Sequence, residues 1–508
     1  MKSRILSLLL AAVLLLGLLP AAALGETKTY KGNDVSAPET LIAYVLGDKP
    51  VDADKVYAEI NKRLSETINA TIDWKYLSWS EHGTKYPLLF TSQEDFDLIF
   101  TAPTWAHYEE IVGMEGFEPI TEEFLAAYAP DLLTIIPQEA WNETKIDGVS
   151  YCVPAGEAAL RSDVNAVRGD LLEQAGMTDI TSFDELLAFF DWVAKHQSET
   201  GVSPLGSNTG AFLYEYIARN DLTLLLGMPY DIFYFHDKDS ENYTVEYLLD
   251  QPWFVQYCKD MKGYFEAGWW SKDSLAAVST FQENFLQGTS ASFRWNVGSV
   301  VNFLRDADAA HPEWKVTFVD HQIADDKWVE SYCNNDMAIN TFSGKKERAA
   351  MALNELYGNK EINRLLRYGI EGEHYILVDE GHYSIGPNNG NYATNCPNWA
   401  IKNPEYKLEL YIENPTAYEQ KQIDLEHNVW KQHPAHGLAQ FSFDTSNVTT
   451  QIALITALKD EYYTPLICGM VDDVDVALQN LKDQLEMAGI RDVLAEAQRQ
   501  ADERKAAN

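Results

Sequence analysis

Carboxylates and tryptophans are the residues of this chain whose chemistry could build a site. The chain has 77 Asp and Glu residues, but no motif selects a catalytic pair among them. It lacks the G-x-S-x-G nucleophile elbow, the H-E-x-x-H zinc motif, the P-loop and the dinucleotide-binding G-x-G-x-x-G. Two carboxylates at a suitable separation would still be enough to hydrolyse a glycoside. The sequence therefore predicts no particular catalytic centre and leaves a glycoside hydrolase open.

One acidic segment has the spacing of a calcium loop. Asp237, Asp239 and Glu241 occupy alternate positions, as the first ligands of such a loop do. The sixth position, however, is Asn242 and not the required Gly, and the twelfth is Leu248. The segment is better interpreted as a polar turn between two strands. The histidines show no metal-ligand spacing either, so we expect no metal and no cofactor.

Tryptophans stand where a ligand could reach them. Trp105 comes shortly after a predicted strand that ends at Phe100, and Trp79 follows a strand that ends at Leu77. Ligands bind at the carboxyl ends of strands in open α/β sheets, although either ring could instead fill a core. Trp295 lies in a mixed polar and aromatic segment from Ser292 to Asn296. Such a segment favours a site over a core.

The elements that position these residues alternate between strand and helix. Leu41–Leu46 is an apolar run of strand length, and Ile72, Trp74 and Tyr76 alternate with polar residues. Between them, Asp52–Asn69 carries Val56, Ile60, Leu64 and Ile68 on one helical stripe. A helix over Trp79–Ser92 and a strand over Phe96–Phe100 follow. This alternation predicts an α/β fold with a mostly parallel sheet.

The rest of the chain reads as mixed α and β structure. Paired strands are predicted within Phe233–Tyr247 and a single strand within Trp314–Asp320. Residues Gly381–Gly437 are rich in Gly, Asn and Pro and are predicted to be mostly loop. The predicted helices are Thr121–Tyr128, Arg168–Gly176, Ser182–Lys195, Leu213–Leu226, Pro252–Ala267, a helix capped by Ser343 and running to Tyr357, Glu361–Tyr368, Asp473–Ala488 and Asp492–Arg504.

The first 25 residues predict where the protein works. Lys2 and Arg4 precede an uncharged run from Ile5 to Leu19, and Ala23-Leu24-Gly25 fits a signal-peptidase site. This is the pattern of a secretory signal peptide, with an uncleaved membrane anchor as the alternative. No cysteine lies near the end of the leader, so no lipid can be attached there. Either reading places the bulk of the chain outside the cytoplasm.

Composition excludes two classes of partner. The formal net charge is -38 at pH 7, so nucleic acid phosphates and anionic membrane surfaces would be repelled. Aromatic residues make up 12% of the chain, which suits a site that grips flat, partly apolar ligands. The five cysteines are widely spaced and odd in number. We interpret them as small buried apolar residues and not as a disulfide framework.

Two segments resemble a known family. Leu366–Tyr375 is similar to the signature stretch of family 1 extracellular solute-binding proteins, the capture subunits of bacterial ABC importers. Glu461–Gly469, with Ala488-Gly489-Ile490 and Gln498-Arg499-Gln500, resembles the uncharacterised C-terminal domain of the LplA-type branch of that family. Phe96–Trp105, Arg168–Leu172 and Ser343–Glu347 also fit, so the resemblance runs along nearly all of the mature chain. Gram-positive members of this family usually carry a lipidated cysteine at the end of the leader, and the leader of this chain has none.

The resemblance implies a two-lobed periplasmic-binding-protein-like fold of type II, with discontinuous lobes, a hinge and a helical C-terminal extension. Under this interpretation residues 1–25 are the signal peptide, and residues 26–156 and 322–386 form the first lobe. Residues 157–321 and 387–508 form the second lobe, with the C-terminal helical domain beginning near residue 440.

The same resemblance implies a ligand held between the lobes. Stacking tryptophans from opposite lobes and hydrogen-bonding polar side chains would line that cleft. The candidates are Trp79, Glu81, Trp105, Arg294, Trp295, Asn334, Asn335, Tyr375 and Trp399. Each of these residues could instead have a purely structural role, as a core ring, a turn residue or a surface charge.

The expected function is capture of a carbohydrate, most simply an oligosaccharide, and its delivery to the permease subunits of an ABC transporter. The protein is expected to be a monomer and not an enzyme. A secreted carbohydrate-active hydrolase that uses paired carboxylates and a cell-surface adhesion protein remain the alternatives.

Overall fold

The computed structural model describes residues 28–507, apart from residues 104, 147, 159–161, 207–210, 226–229, 274–280, 323–330, 393–395, 432–435, 439–440 and 442. The predicted signal peptide, residues 1–25, lies outside the described residues. Within the part that is described, no helix is both long enough and apolar enough to cross a membrane.

The strands are short except in two four-stranded sheets. In chain order they are β1 (Thr29–Tyr30), β2 (Asn33–Asp34), β3 (Glu39–Leu46), β4 (Ala70–Leu77), β5 (Leu98–Thr101), β6 (Lys145–Ile146), β7 (Val149–Ser150), β8 (Asp163–Val167), β9 (Ser203–Leu205), β10 (Thr223–Leu224), β11 (Phe233–Phe235), β12 (Glu246–Tyr247), β13 (Ser290–Asn296), β14 (Thr317–Val319), β15 (Asp336–Ile339), β16 (Tyr375–Leu377), β17 (His382–Ile385) and β18 (Glu409–Leu410).

Helices cover the sheets and form the C-terminal region. In chain order they are α1 (Ala53–Thr67), α2 (His82–Thr91), α3 (Tyr108–Gly113), α4 (Glu122–Tyr128), α5 (Leu132–Ile135), α6 (Gln138–Glu143), α7 (Gly169–Gln174), α8 (Phe183–Lys195), α9 (Gln197–Thr200), α10 (Leu213–Arg219), α11 (Pro252–Glu266), α12 (Phe281–Leu286), α13 (Val297–Ala310), α14 (Lys346–Gly358), α15 (Lys360–Tyr368), α16 (Cys396–Ala400), α17 (Ala417–Asp424), α18 (Thr449–Ala457), α19 (Thr464–Ile467), α20 (Val474–Met487) and α21 (Ile490–Ala507).

The first sheet has the strand order β15-β5-β3-β4. Strand β3 is parallel to β4 and β5, while β15 returns antiparallel to β5. The predicted stripe of α1 is buried in the core, with Val56, Ile60 and Leu64 all inaccessible to solvent. The predicted strand-helix-strand-helix-strand unit is therefore confirmed.

The second sheet has the order β14-β8-β13-β9. Strand β13 is parallel to β9 and antiparallel to β8, and β14 is antiparallel to β8. Helix α8 begins with a capping box in which Ser182 Oγ accepts from Glu185 N and the Glu185 carboxylate accepts from Ser182 N. Its apolar face, including Leu186, Phe189 and Phe190, fills the core of this half.

Buried apolar residues divide the chain into two lobes. The core of the first lobe contains residues from Tyr30 to Val153 and from Met337 to Ile401. The two cores of the second lobe contain residues from Val164 to Val319 and from Tyr418 to Ala501. Each lobe is thus built from separate stretches of chain, and helices α18–α21 belong to the second. The predicted two-lobed α/β fold is confirmed.

Three segments cross between the lobes and are bonded directly to one another. Ala155 N donates to Tyr332 O at 3.2 Å, and Gly156 N donates to Lys402 O at 3.2 Å. Arg367 of α15 adds an ion pair with Glu157 at 2.9 Å. The ends of both lobes are therefore tied together at one narrow place, which is the arrangement a hinge requires.

The predicted lobe boundary at residue 387 is displaced along the chain. Tyr392, Ala400 and Ile401 are buried in the core of the first lobe, and β18 pairs with β17. The chain crosses to the second lobe only after this sheet, before Tyr418 enters a core there. Residues 381–437 were predicted to be mostly loop, and most of them lie outside the strands and α-helices, although β17, β18, α16 and α17 fall within the segment.

Three local predictions also need correction. The helix predicted to reach Leu226 ends at Arg219, because Asp221 takes a left-handed conformation (φ 53°) and β10 then begins. Ser343 is not the cap of α14, whose N-cap is Lys345; its hydroxyl donates instead to Asp97 at 2.6 Å. The strand predicted over Trp314–Asp320 is shorter, because Trp314 ends a 3-10 turn.

The cysteine prediction is confirmed where the structure describes these residues. Cys152, Cys258, Cys333 and Cys468 are buried and unbridged. Burial raises the pKa of the Cys152, Cys258 and Cys333 thiols, so these three are held in the neutral, unreactive form. The side chain of Cys396 lies outside the described residues.

At the hinge, adding one methyl group to Gly156 should lower the stability of the protein. A Cβ added to Gly156 would lie 2.3 Å from Lys402 O, which is backbone and cannot move aside cheaply. We expect Gly156→Ala to destabilise the protein by about 1–3 kcal/mol, as overpacking usually does. The measurement is the unfolding temperature by calorimetry. Gly263→Ala in α11 is the control, because its Cβ meets nothing within 4 Å and should leave stability equal or higher. Equal unfolding temperatures for wild type and Gly156→Ala would contradict this account.

Candidate functional site

The carboxyl ends of β3, β4 and β5 share one edge of the first sheet, because these strands are parallel. Gly47, Trp79 and Trp105 follow these ends. Asn334 and Asn335 lie at the same edge, because β15 runs antiparallel and Asp336 pairs with Thr101. The crossing segments also leave the first lobe here. This edge therefore faces the space between the lobes, as expected for a ligand-binding edge.

Three tryptophans form one continuous surface at this edge, which we call the aromatic wall: Trp79, Trp105 and Trp399. Trp79 stacks on Trp399 with ring centroids 6.2 Å apart and planes 19° apart. It also lies 6.1 Å from Trp105 at a tilt of 38°. Trp79 is 46% exposed although it touches both neighbours, so one face of the wall is open to solvent.

The wall is held rigidly from behind. Trp105 Nε1 donates to Asn334 O at 3.0 Å, which joins the wall to a crossing segment. Behind Trp79 lies Gly47 (φ 101°), where an added Cβ would come within 2.9 Å of the indole ring. Glycine is needed at this position both for its backbone conformation and for the close approach of the ring.

The remaining first-lobe candidates are placed less favourably. Glu81 is engaged by Lys85 at 2.6 Å and by Ser78, and these hydrogen bonds lower the pKa of its carboxyl. Asn335 is partly buried beside the wall, at the start of β15. Tyr375 is buried and packs on Tyr368 and Tyr383 beneath the small sheet of β16–β18. A buried ring offers no face to a ligand, so the expectation for Tyr375 is corrected.

The corresponding edge of the second sheet carries charged and polar side chains. The carboxyl ends of β9, β13 and β14 meet the start of β8 here, since Asn296 pairs with Asp163 and Val319 with Asn165. Arg294 and Trp295 lie near the end of β13. Trp295 is 45% exposed and rests against Phe281 at 5.3 Å, so a second aromatic surface stands on this lobe.

Arg294 belongs to a buried charge cluster that sequence reasoning did not find. Its guanidinium lies 3.6 Å from both Asp163 and Glu215, and His321 Nε2 lies 3.1 Å from Glu215 Oε1. Burial alone would raise the pKa of Glu215, but the Arg294 charge and the His321 hydrogen bond outweigh it and lower the pKa to about 2. Glu215 is therefore ionised although its side chain is almost inaccessible.

A signal for His321 was present in the sequence. His321 follows the end of β14, just as Trp79 and Trp105 follow β4 and β5, so the same edge rule would have selected it. Glu215 had no such signal, because it lies on a helix that reaches the edge only in the folded chain. His82 was also missed, and its ring lies 5.8 Å from that of Trp79.

Two other carboxyls have the raised pKa that a general acid needs. Burial raises the pKa of Glu143 to about 7, although hydrogen bonds from Ser331 Oγ and Tyr332 N, both at 2.7 Å, oppose the shift. Glu143 thus braces a crossing segment. Burial likewise raises the pKa of Asp336 well above its usual range, but Asp336 is inaccessible within the first lobe. Neither arrangement pairs two carboxyls across an open site.

The acidic segment Asp237–Asn242 forms the predicted turn. It joins β11 to β12, which pair antiparallel, and Asp239 Oδ1 accepts from Glu241 N at 3.3 Å. Among the residues that the structure describes, no group of three or more His, Cys, Asp or Glu side chains could hold a metal ion.

Comparison with known proteins identifies the architecture. Residues 437–506 match the family model described as a domain of unknown function, DUF3502. A carbohydrate ABC transporter substrate-binding protein of Streptococcus pneumoniae serotype 4 is 24% identical in an alignment of length 507. The alignment covers 95% of each chain.

Solved structures agree over almost the whole chain. The N-glycan transport solute-binding protein NgtS of Streptococcus pneumoniae, solved with Man1GlcNAc, superposes with a TM-score of 0.70 at 22% identity, covering 92% of this chain and 100% of that one. The alginate-binding protein AlgQ2 gives 0.67 at 15% identity, covering 92% and 98%. The chain has the fold of solute-binding proteins. The predicted resemblance to them is confirmed. The match to the C-terminal family model, residues 437–506, falls on helices α18–α21 of this chain.

The buried charge cluster makes stability depend on pH in a defined direction. Because the pKa of Glu215 is lowered from 4.5 to about 2, its ionised form stabilises the fold above pH 4.5, and this contribution is lost as pH falls through 2. We expect a loss of about 3 kcal/mol, since the shift is about 2.5 pKa units and each unit is worth about 1.4 kcal/mol. Chemical unfolding of wild type and Glu215→Gln between pH 7 and pH 2 tests this. The stability difference between the two proteins should shrink on acidification, and a constant difference would refute the assignment.

Proposed function

We propose that this chain is the extracellular solute-binding subunit of an ABC importer. It captures an oligosaccharide between its two lobes and delivers it to a membrane permease, and it works as a monomer outside the cytoplasm after its leader is removed. The names of its relatives support a carbohydrate ligand, since they describe a carbohydrate transporter subunit, an N-glycan carrier and an alginate-binding protein. Because these relatives are at most 24% identical to this chain, their ligands do not identify the sugar that this chain binds.

The aromatic wall is the observation that carries this proposal. The CH face of a sugar ring stacks on an indole and removes about 50 Å² of apolar surface, worth roughly 1 kcal/mol for each stacked ring. The Trp79 ring lies about 6 Å, centroid to centroid, from the rings of both Trp105 and Trp399. The wall is therefore wider than one sugar ring and offers adjacent platforms, which suits a ligand of several residues.

The second lobe supplies the complementary part of the site. Sugar hydroxyls need hydrogen-bond partners in a desolvated cleft, and an unpaired hydroxyl costs about 1–3 kcal/mol. Arg294 and its neighbours provide such groups opposite the wall, and Trp295 provides a further ring. A sugar that contacts both lobes binds the closed form better than the open form, and this difference in affinity is what drives closure.

Substitution in the wall gives a direct test. Trp79→Ala and Trp399→Ala should each weaken oligosaccharide binding about five- to tenfold, because each removes a stacking surface worth roughly 1 kcal/mol. Isothermal titration with a glycan found by thermal-shift screening measures the effect. Trp192→Ala is the control, since Trp192 stacks on His196 on a helix of the second lobe outside the site. Trp295→Ala should also weaken binding. Unchanged affinity in all three site variants would refute the placement of the site.

Closure gives an independent test. Small-angle X-ray scattering should show a smaller radius of gyration when the glycan is added, together with the mass of one chain. The recovered glycan should be intact, whereas a hydrolase would release new reducing ends. A stabilising glycan that leaves the radius of gyration unchanged would contradict capture between lobes.

A further inference from the structure

The cleft edge of the second lobe contains buried polar atoms that have no hydrogen-bond partner among the residues that the structure describes. They are Asn165 Oδ1, Glu215 Oε2, Arg294 Nε and His321 Nδ1. Asn165, Glu215 and His321 are each less than 5% exposed. Buried polar atoms are normally paired, so several unpaired ones in one place indicate a missing partner.

These four atoms belong to one cluster. Asn165 on β8 lies directly opposite Arg294 on β13, which places both side chains on the same face of the sheet. Arg294 Nε lies 3.6 Å from Glu215 Oε1, and the same oxygen lies 3.1 Å from His321 Nε2. The cluster stands at the sheet edge where the chain leaves for the first lobe, and a ligand in the cleft would meet it first at Arg294, whose side chain is 26% exposed.

The unpaired atoms have a definite chemical preference. The Asn165 and Glu215 oxygens accept hydrogen bonds, and Arg294 Nε donates one. His321 Nδ1 can donate or accept, depending on which ring nitrogens carry a proton. A hydroxyl group both donates and accepts, so two neighbouring hydroxyls can satisfy donors and acceptors together. A carboxylate only accepts, and it would leave the Asn165 and Glu215 oxygens unpaired.

The charges around Arg294 also favour a neutral sugar over an acidic one. Arg294 lies 3.6 Å from a carboxylate oxygen of Asp163 and 3.6 Å from one of Glu215. The guanidinium that could attract an anionic sugar thus already faces two carboxylates, which a uronate would have to approach as well. Neutral and acidic sugars are therefore distinguished at this position.

We propose that Asn165, Glu215, Arg294 and His321 form a subsite that binds a vicinal diol of a neutral sugar residue and rejects sugars that present a carboxylate there. This inference rests on the proposed function, because it concerns the same cleft. It adds a specificity determinant on the second lobe, opposite the stacking surface of the first.

The test begins with a glycan array that carries neutral mannose-, galactose- and glucose-based oligosaccharides, each with a uronate-containing counterpart. Wild type should bind neutral glycans and bind the matched uronates at least tenfold more weakly. The neutral glycan with the strongest signal is then titrated calorimetrically against the variants. Asn165→Ala should weaken binding at least fivefold and Glu215→Gln at least tenfold.

Each variant has a matched control. Ser292→Ala removes the 3.3 Å hydrogen bond that Asn165 Nδ2 donates to Ser292 but keeps Asn165 Oδ1, so affinity should stay near that of wild type. Glu419→Gln changes another buried carboxylate of the second lobe, one paired with Arg305 at 2.7 Å, and should also leave affinity unchanged. Far-UV circular dichroism checks folding, and if Glu215→Gln does not fold, Asn165→Ala decides.

The outcomes separate this inference from the proposed function. Binding of no glycan by wild type would overturn the proposed function. Glycan binding that is lost in Trp79→Ala but unchanged in Asn165→Ala and folded Glu215→Gln would overturn the subsite alone. Equal binding of neutral and uronate glycans would overturn the predicted selectivity. A glycan complex with sugar hydroxyls within hydrogen-bond distance of Asn165 Oδ1 and Glu215 Oε2 would support the subsite directly.

Discussion

The backbone hydrogen bonds between the crossing segments are the constraint on which the site depends. Ala155 N–Tyr332 O and Gly156 N–Lys402 O hold three passages of the chain side by side. Each passage enters or leaves a lobe at the edge of its sheet, so fixing the passages also brings the two edges to one place. The aromatic wall shares this anchor through Trp105, which donates to the carbonyl of Asn334 in one of these passages. The aromatic wall is therefore connected directly to the hinge.

The two lobes present different chemistry at this junction. The first lobe has an exposed indole surface around Trp79, on which different sugars would stack through apolar contact under the proposed function. The second lobe has directional polar groups around Arg294, which would accept fewer sugars. Stacking on one lobe alone would hold a sugar without shutting the protein, because only a ligand that contacts both lobes favours the closed form. Because the apolar and the polar contacts lie on different lobes, only a sugar that makes both would close the protein.

The sequence predicted the elements whose patterns are local. The stripe of Val56, Ile60 and Leu64 required a helix, and the runs around β3, β4 and β5 required buried strands. Because parallel strands end at a common edge, the positions of Trp79 and Trp105 after those strands could also be interpreted. These features depend on spacing along the chain, which the sequence contains directly.

Features that depend on distant packing could not be predicted in this way. Trp399 reaches Trp79 because the chain around it stays in the first lobe, where Tyr392, Ala400 and Ile401 are buried, whereas the sequence predicted that it had already crossed to the second lobe. Tyr375 lies within a stretch resembling the family signature, yet its ring packs under a small sheet that forms through pairing of β16 with β17. Glu215 became recognisable only through its ionised state, which results from Arg294 and His321 on other elements.

The energetic cost of the second-lobe cluster bears on how the protein would work. An unpaired buried polar atom costs about 1–3 kcal/mol, so retaining Asn165 Oδ1 and Glu215 Oε2 without partners makes this edge less stable than an apolar edge would be. Such a cost is tolerated where a ligand repays it on binding. Under the proposed function, a sugar that pairs these atoms would gain hydrogen bonds as well as stacking, while one that leaves them unpaired would gain only stacking. Discrimination between sugars would then come from these polar atoms, and the wall would set how tightly any sugar is held.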